Sequence, residues 1–186
     1  MTNPRLYTAA DVLEMDSDAP YDLIDGRLVE VPFADGCSSE IAVGFAVALR
    51  AFVHRHRLWR LTGADGGYVL ARDPDTVMAP DAGFIAIAHI PNGLPADDVV
   101  QRAPTLAVEV LSGWDSMEAY ELRARRFLDA GTRLVWVARP DRRAVIVFAP
   151  GRDPVELGEG DVLDGEDVLP GFRLPVAEVF ADTMAS

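Results

Sequence analysis

The stretch "TLAVEVLSGWDSMEAYELRARRFLDAGTRLVWVA", residues 105–138, decides the fold. It opens on an apolar run from Leu106 to Leu111, of the kind that forms a strand buried on both faces. Asp115, with Glu118 three residues on as a capping pair, then predicts a helix running to Ala130, with Gly131 at its C-terminal end. A second apolar run, "RLVWVA", follows. Strand, helix and strand in this order make a crossover, so the strands are parallel and the helix covers one face of their sheet. Glu109 does not fit such a strand. A buried carboxylate is costly unless a cation, a metal or hydrogen-bond donors face it.

Outward from this unit the chain reads as a mixed α/β domain. Thr8 caps a short helix over "AADVLEM", and "YDLIDGRLVEV" holds Asp25-Gly26 between two β-rich runs, a hairpin over residues 21 to 31. From Ser38 or Ser39 to about Trp59 the apolar residues Ile41, Phe45, Ala48, Leu49 and Phe52 recur at helical spacing, predicting a long core-facing helix with a basic last turn. "GADGGYVLARDPDTVMAPDAGFIAIAHI" alternates strand-like runs with turn clusters, its second strand starting at Pro80-Asp81, and "PNGLPADDVVQRAP" is a surface loop. "RPDRR" turns into the strand "AVIVFA", and the tail breaks into short hairpin pieces. The expectation is one domain over residues 1–186: a central mixed β-sheet flanked by helices, with hairpins at both ends.

Composition narrows the function. The net charge is −13, and every one of the 17 basic residues is Arg, because the chain has no lysine. So acidic a chain is a poor general binder of nucleic acid, yet its arginines cluster in "RHRLWR", "RARR" and "RPDRR". No apolar run approaches the roughly 20 residues of a membrane span. The N-terminus lacks the basic-then-apolar pattern of a secretory signal, and the lone Cys37 cannot form an internal disulfide, which points to the cytoplasm. Cys37 has no histidine near it in sequence and reads as a small buried or partly buried residue. His54 and His56 stand two apart on a helix, face different ways, and make no metal pair.

Asp81 at the start of one apolar strand and Glu109 within another converge on a single cation if those strands are neighbours. Mg²⁺ is held by one or two carboxylates and completed by waters and phosphate oxygens, and the Val110 carbonyl adds a possible ligand. An ion pair between Glu109 and an arginine answers the same need without a metal. On the helix of residues 116 to 130, Met117, Tyr120, Ala124, Phe127 and Leu128 share one face. Arg123 lies at the border of that face and is aimed toward the Glu109 strand, whereas Arg125 and Arg126 point away into solvent.

The blocks "YDLIDGRLVE", "PDAGFI", "VEVLS", "YELRARRFLDAGTRLVWV" and "LPGFRLPVAEVF" together resemble the bacterial family of putative restriction endonuclease domain proteins, a branch of the PD-(D/E)xK nucleases. The resemblance runs from about Tyr7 to Phe180 and implies a restriction-endonuclease-like fold, a divalent ion (Mg²⁺ or Mn²⁺), DNA as substrate, and a homodimer. It also implies roles: Asp81 and Glu109 as metal ligands, Asp22 at the acidic position of the first block, and Arg123 where the family carries its catalytic lysine. Three positions depart from the pattern. Asp22 is one methylene shorter than the usual Glu, Ser38 stands where many members have His, and Arg123 replaces Lys. Arg can stabilise charge but cannot release a proton near neutrality.

Two functions follow from these residues. One is a Mg²⁺-dependent DNA phosphodiesterase using Asp81, Glu109 and the Val110 carbonyl for the metal, Asp22 for a second ion or the water shell, and Arg123 for the phosphate. The other is an inactive copy of the fold serving as a binding module, with Arg123 paired to Glu109 or Asp81. DNA binding is expected to be weak and salt-dependent in either case.

Overall fold

The computed structural model describes residues 5–15, 21–57 and 59–181. Its centre is a six-stranded sheet of β3 (Trp59–Thr62), β6 (Ala82–Ala86), β7 (Leu106–Val110), β8 (Leu134–Arg139), β9 (Ala144–Phe148) and β10 (Val155–Leu157), in the order β10-β9-β8-β7-β6-β3. Only β7 and β8 are parallel, joined by α3 (Met117–Asp129) as the crossover requires. A four-stranded antiparallel sheet stands beside it: β1 (Tyr21–Ile24), β2 (Arg27–Glu30), β4 (Tyr68–Ala71) and β5 (Thr76–Met78), ordered β2-β1-β5-β4. The β1–β2 hairpin turns through Asp25 and Gly26 at φ +52° and +74°, the positive angles that a two-residue hairpin loop needs. Near the C-terminus β11 (Val162–Asp164) pairs with β12 (Arg173–Pro175), followed by the single turn of α4 (Val176–Val179).

Strand parity sets the two faces of the central sheet. Leu106, Val108 and Val110 of β7 and Leu134, Trp136 and Ala138 of β8 pack toward α2 (Gly36–His56), whose Ile41, Phe45, Leu49 and Val53 are buried. Ala107, Val135 and Val137 face the other way and meet Ala124 and Phe127 of α3. Glu109 has the parity of Ala107 and so belongs to the α3 face. All five residues of β7 are buried, as a strand covered on both sides should be. In the short helix α1 (Ala9–Leu13), Thr8 and Asp11 form a reciprocal capping box.

Several expectations are corrected. The cap of α3 is Ser116, whose hydroxyl accepts from Ala119 N at 3.2 Å, and Asp115 is drawn instead toward the hydroxyls of Ser112 and Tyr120. α2 starts at Gly36 behind Asp35 as its cap and ends at His56, because Arg57 takes a left-handed conformation and Trp59 already belongs to β3. Cys37 lies in the exposed first turn of α2 and is neither buried nor partly buried. Arg126 is not simply solvated, since it pairs with Asp25 at 3.4 Å. α2 is also long and apolar enough, by length and composition, to cross a membrane, contrary to the expectation that no run reached that size. Here its inner stripe packs against the sheet, while Val43 and Val47 on its outer side are exposed.

Candidate active site

Three carboxylates meet at the end of β7 nearest the start of α3. β6 and β7 are antiparallel with Ala82 opposite Val108, and one further step of that register sets Asp81 opposite Glu109. Directly opposed residues of an antiparallel pair present their side chains to the same face. Asp81 is fixed by the backbone N–H of Val110, which donates to its Oδ2 at 2.7 Å. Asp22 arrives from β1 and is buried; its Oδ1 accepts from Ala79 N at 3.3 Å, in the short link between β5 and β6.

Arg123 reaches this cluster from the second turn of α3. Its Nε and Nη2 donate to Glu109 Oε1 at 3.2 and 2.9 Å, its Nη1 donates to Asp22 Oδ2, and Nη2 also meets Ala79 O at 3.3 Å. One guanidinium thus ties together β1, β7 and the β5–β6 link, which its planar fork of five N–H donors allows. The contacts to Glu109 both fall on Oε1. Among the described residues no donor reaches Glu109 Oε2 or Asp81 Oδ1.

The charges do not balance. Three carboxylates face one guanidinium, and two of them are raised in proton affinity. Burial pushes Glu109 up from its ordinary 4.5 to about 8, against the pull of Arg123 and with added repulsion from Asp81 and Asp22. Asp81 is raised by burial too, opposed by the Val110 N–H and Arg123. Burial alone would lower Arg123, but the charges of Glu109 and Asp22 outweigh it and hold the guanidinium protonated. Among the described residues no group of three or more His, Cys, Asp or Glu side chains is arranged to hold a metal ion. A hard divalent ion needs only one or two carboxylates, and the open oxygens of Asp81 and Glu109 provide that donor set. The Val110 carbonyl is already engaged, accepting from the Tyr120 hydroxyl at 3.0 Å.

The sequence model of the Uma2 family, described as "Putative restriction endonuclease", matches residues 9–177. The chain belongs to that family. A solved structure described as a putative nuclease belonging to DUF820, from Anabaena variabilis ATCC 29413, is similar with a TM-score of 0.81. The match covers 94% of this chain and 97% of that one at 20% identity, so it speaks for the fold. No curated protein matches the chain. Family membership and fold agree on a nuclease scaffold, α/β with a central mixed sheet and flanking helices.

All four residues singled out in the sequence, Asp22, Asp81, Glu109 and Arg123, come together. Their immediate support was missed. Tyr120 reaches both the Val110 carbonyl and Asp115, at 3.0 and 3.3 Å, and is kept protonated by burial and by Glu109, Asp115 and Asp81. Helical spacing put Tyr120 on the core face, but nothing in the sequence says that its hydroxyl finds a strand-end carbonyl.

Proposed function

We propose that this Uma2 protein is a divalent-metal-dependent endonuclease that hydrolyses DNA phosphodiesters at the Asp22–Asp81–Glu109–Arg123 cluster, with Mg²⁺ or Mn²⁺ held by Asp81 and Glu109. The observation that carries this is the surplus of carboxylate over guanidinium charge, with one open oxygen on each of the two proposed ligands. A bound divalent ion would supply Lewis acidity and an activated water. The Val110 N–H orients Asp81, and Arg123 orients Glu109. Arg123 contributes fixed positive charge for the phosphate without exchanging a proton. The net charge of −13 repels duplex DNA while only the arginine clusters attract it, so binding is weak and falls steeply with salt. The proposed homodimer would use the exposed Val43 and Val47 of α2 beside the edge strand β3, and light scattering on the purified chain decides it.

Nicking of supercoiled plasmid in Mg²⁺ or Mn²⁺ tests the activity. Cleavage that falls at least about 100-fold in Asp81→Ala supports it, and Arg123→Lys should keep or raise cleavage. One observation favours a second function, an inactive binding module: Arg123 already lies against Glu109 and Asp22 with three contacts, doing the neutralising work of a cation. Pure protein that never nicks in either metal selects that function.

A further inference from the structure

The two most exposed large apolar side chains of the described residues are Trp114 and Phe33, 79% and 78% exposed. They are far apart in sequence, on two loops that a hydrogen bond joins. Trp114 lies in the loop between β7 and α3, and Phe33 in the segment leading from β2 into α2. Asp35 joins the two: it caps α2 through Ser38 N at 2.8 Å, and its Oδ2 accepts from Gly113 N at 2.9 Å. Each aromatic residue is within two positions of that bond. Trp114 is also followed by Asp115, whose Oδ2 takes the hydroxyls of Ser112 and of Tyr120, and Tyr120 in turn reaches Val110 beside Asp81. Both rings therefore stand on loops pinned by hydrogen bonds, and those of the Trp114 loop lead on to the carboxylate cluster.

Single exposed apolar residues need no explanation, but two of the largest on joined loops beside a nuclease site do. Their core counterparts Trp59, Trp136, Phe45 and Phe84 are buried. Asp35 and Asp115, which pin these loops, are acidic, so the two rings have no cation beside them in the chain to grip a phosphate. Flat aromatic faces grip bases instead. Stacking needs no charge and takes any base, provided the base is unpaired and its face free. We infer that Trp114 and Phe33 form a stacking platform for unpaired bases, making DNA with single-stranded character the substrate class of this site. The inference builds on the nuclease function proposed above, but its test reads binding separately from cleavage.

Trp114 is its own reporter, because the chain's two other tryptophans, Trp59 and Trp136, are buried. The full chain in EDTA is titrated with a short oligothymidylate and with a blunt duplex of equal length, following tryptophan fluorescence and the anisotropy of labelled DNA. Quenching is expected with the single strand and little with the duplex. Trp114→Ala should abolish the quench and weaken single-strand binding about tenfold, equivalent to about 1.4 kcal/mol. Trp114→Phe should retain most of the affinity, and Phe33→Ala should lose about threefold. Both residues are so exposed that these changes leave the fold intact, which circular dichroism confirms. Single-strand affinity unchanged in Trp114→Ala, or equal quenching by duplex, overturns the platform. If wild type nicks plasmid while Trp114→Ala binds and nicks as wild type does, the platform is wrong and the nuclease stands. If nothing nicks but binding depends on Trp114, the platform stands and the nuclease falls.

Discussion

Arg123 and Arg126 leave the same helix one turn apart, and each reaches back to an aspartate of the β1–β2 hairpin, Asp22 and Asp25. The chemistry is the same and the surroundings are not. Arg123 and Asp22 are 18% and 4% exposed, and the guanidinium also serves Glu109 and Ala79 O. Arg126 and Asp25 are 29% and 60% exposed and meet at 3.4 Å, with no third side chain joining them among the described residues. The helical wheel already sets Arg123 at the border of the core face and Arg126 away from it; burial and partner number in the fold show how far the two pairs differ. A buried cation whose removal strands two carboxylates is indispensable even if its net contribution is small, whereas an exposed pair competes with water and salt.

The largest effect expected from this contrast is on stability. Arg123→Ala should cost roughly 3–5 kcal/mol by leaving Glu109 and Asp22 uncompensated. Urea unfolding measures it, and Mn²⁺ or Mg²⁺ should restore part of the loss by neutralising the same carboxylates. An Arg123→Ala protein as stable as Arg126→Ala would erase the distinction between the two pairs.

A second effect separates the regions by pH. Folding raises the Glu109 pKa from 4.5 to about 8, so between those values the native chain holds a proton that the unfolded chain has released. The stability linked to it is therefore fully present below pH 4.5 and is lost as pH rises toward 8, by a few kcal/mol at most. Asp81, raised in the same direction, adds to the decline. Glu109→Gln mimics the protonated form and should remove most of the decline across that window, leaving the part due to Asp81. A wild-type profile flat from pH 5 to 8 would show that Arg123 holds Glu109 ionised throughout.

A third, smaller loss probes the support of the site. Tyr120→Phe removes the hydroxyl that reaches the Val110 carbonyl and Asp115, and should cost about 1 kcal/mol by thermal unfolding. No measurable loss would mean that water replaces the hydroxyl at both acceptors.

Sequence carried the fold wherever a residue's neighbours in the chain determine its state. The crossover from Leu106 to Ala138, the hairpin at Asp25-Gly26 and the inner face of α2 are periodicity and turn chemistry, and all three formed. The burial of Glu109 and the approach of Arg123 followed from the apolar run around the one and a helical wheel for the other, so that half of the site was legible too. Asp22 was placed only by resemblance, because its entry depends on how β1 docks against β5 and the link at Ala79. What stayed hidden depended on tertiary partners. Ser116 outcompeted Asp115 as the cap of α3 because the Ser112 and Tyr120 hydroxyls claim the Asp115 carboxylate. The exposure of Trp114 and Phe33 was equally invisible, since an aromatic residue in a loop reads the same whether it folds inward or stands in solvent.

The smallest effect sharpens the comparison most cleanly. Asp25 sits at φ +52° in the hairpin turn, a conformation that Asn also tolerates, so Asp25→Asn removes the charge and keeps the turn. Its backbone N–H, which donates to Thr76 Oγ1 at 3.0 Å, is untouched. Any loss of stability then belongs to the pair with Arg126 alone. It should be below about 1 kcal/mol at low salt and vanish near 1 M salt, where screening acts within about 3 Å. The loss in Arg123→Ala should survive the same salt, because ions cannot enter between Arg123 and the buried Glu109 carboxylate. A salt-proof loss in Asp25→Asn, or a salt-erased one in Arg123→Ala, would mean that burial is not what divides the two arginines.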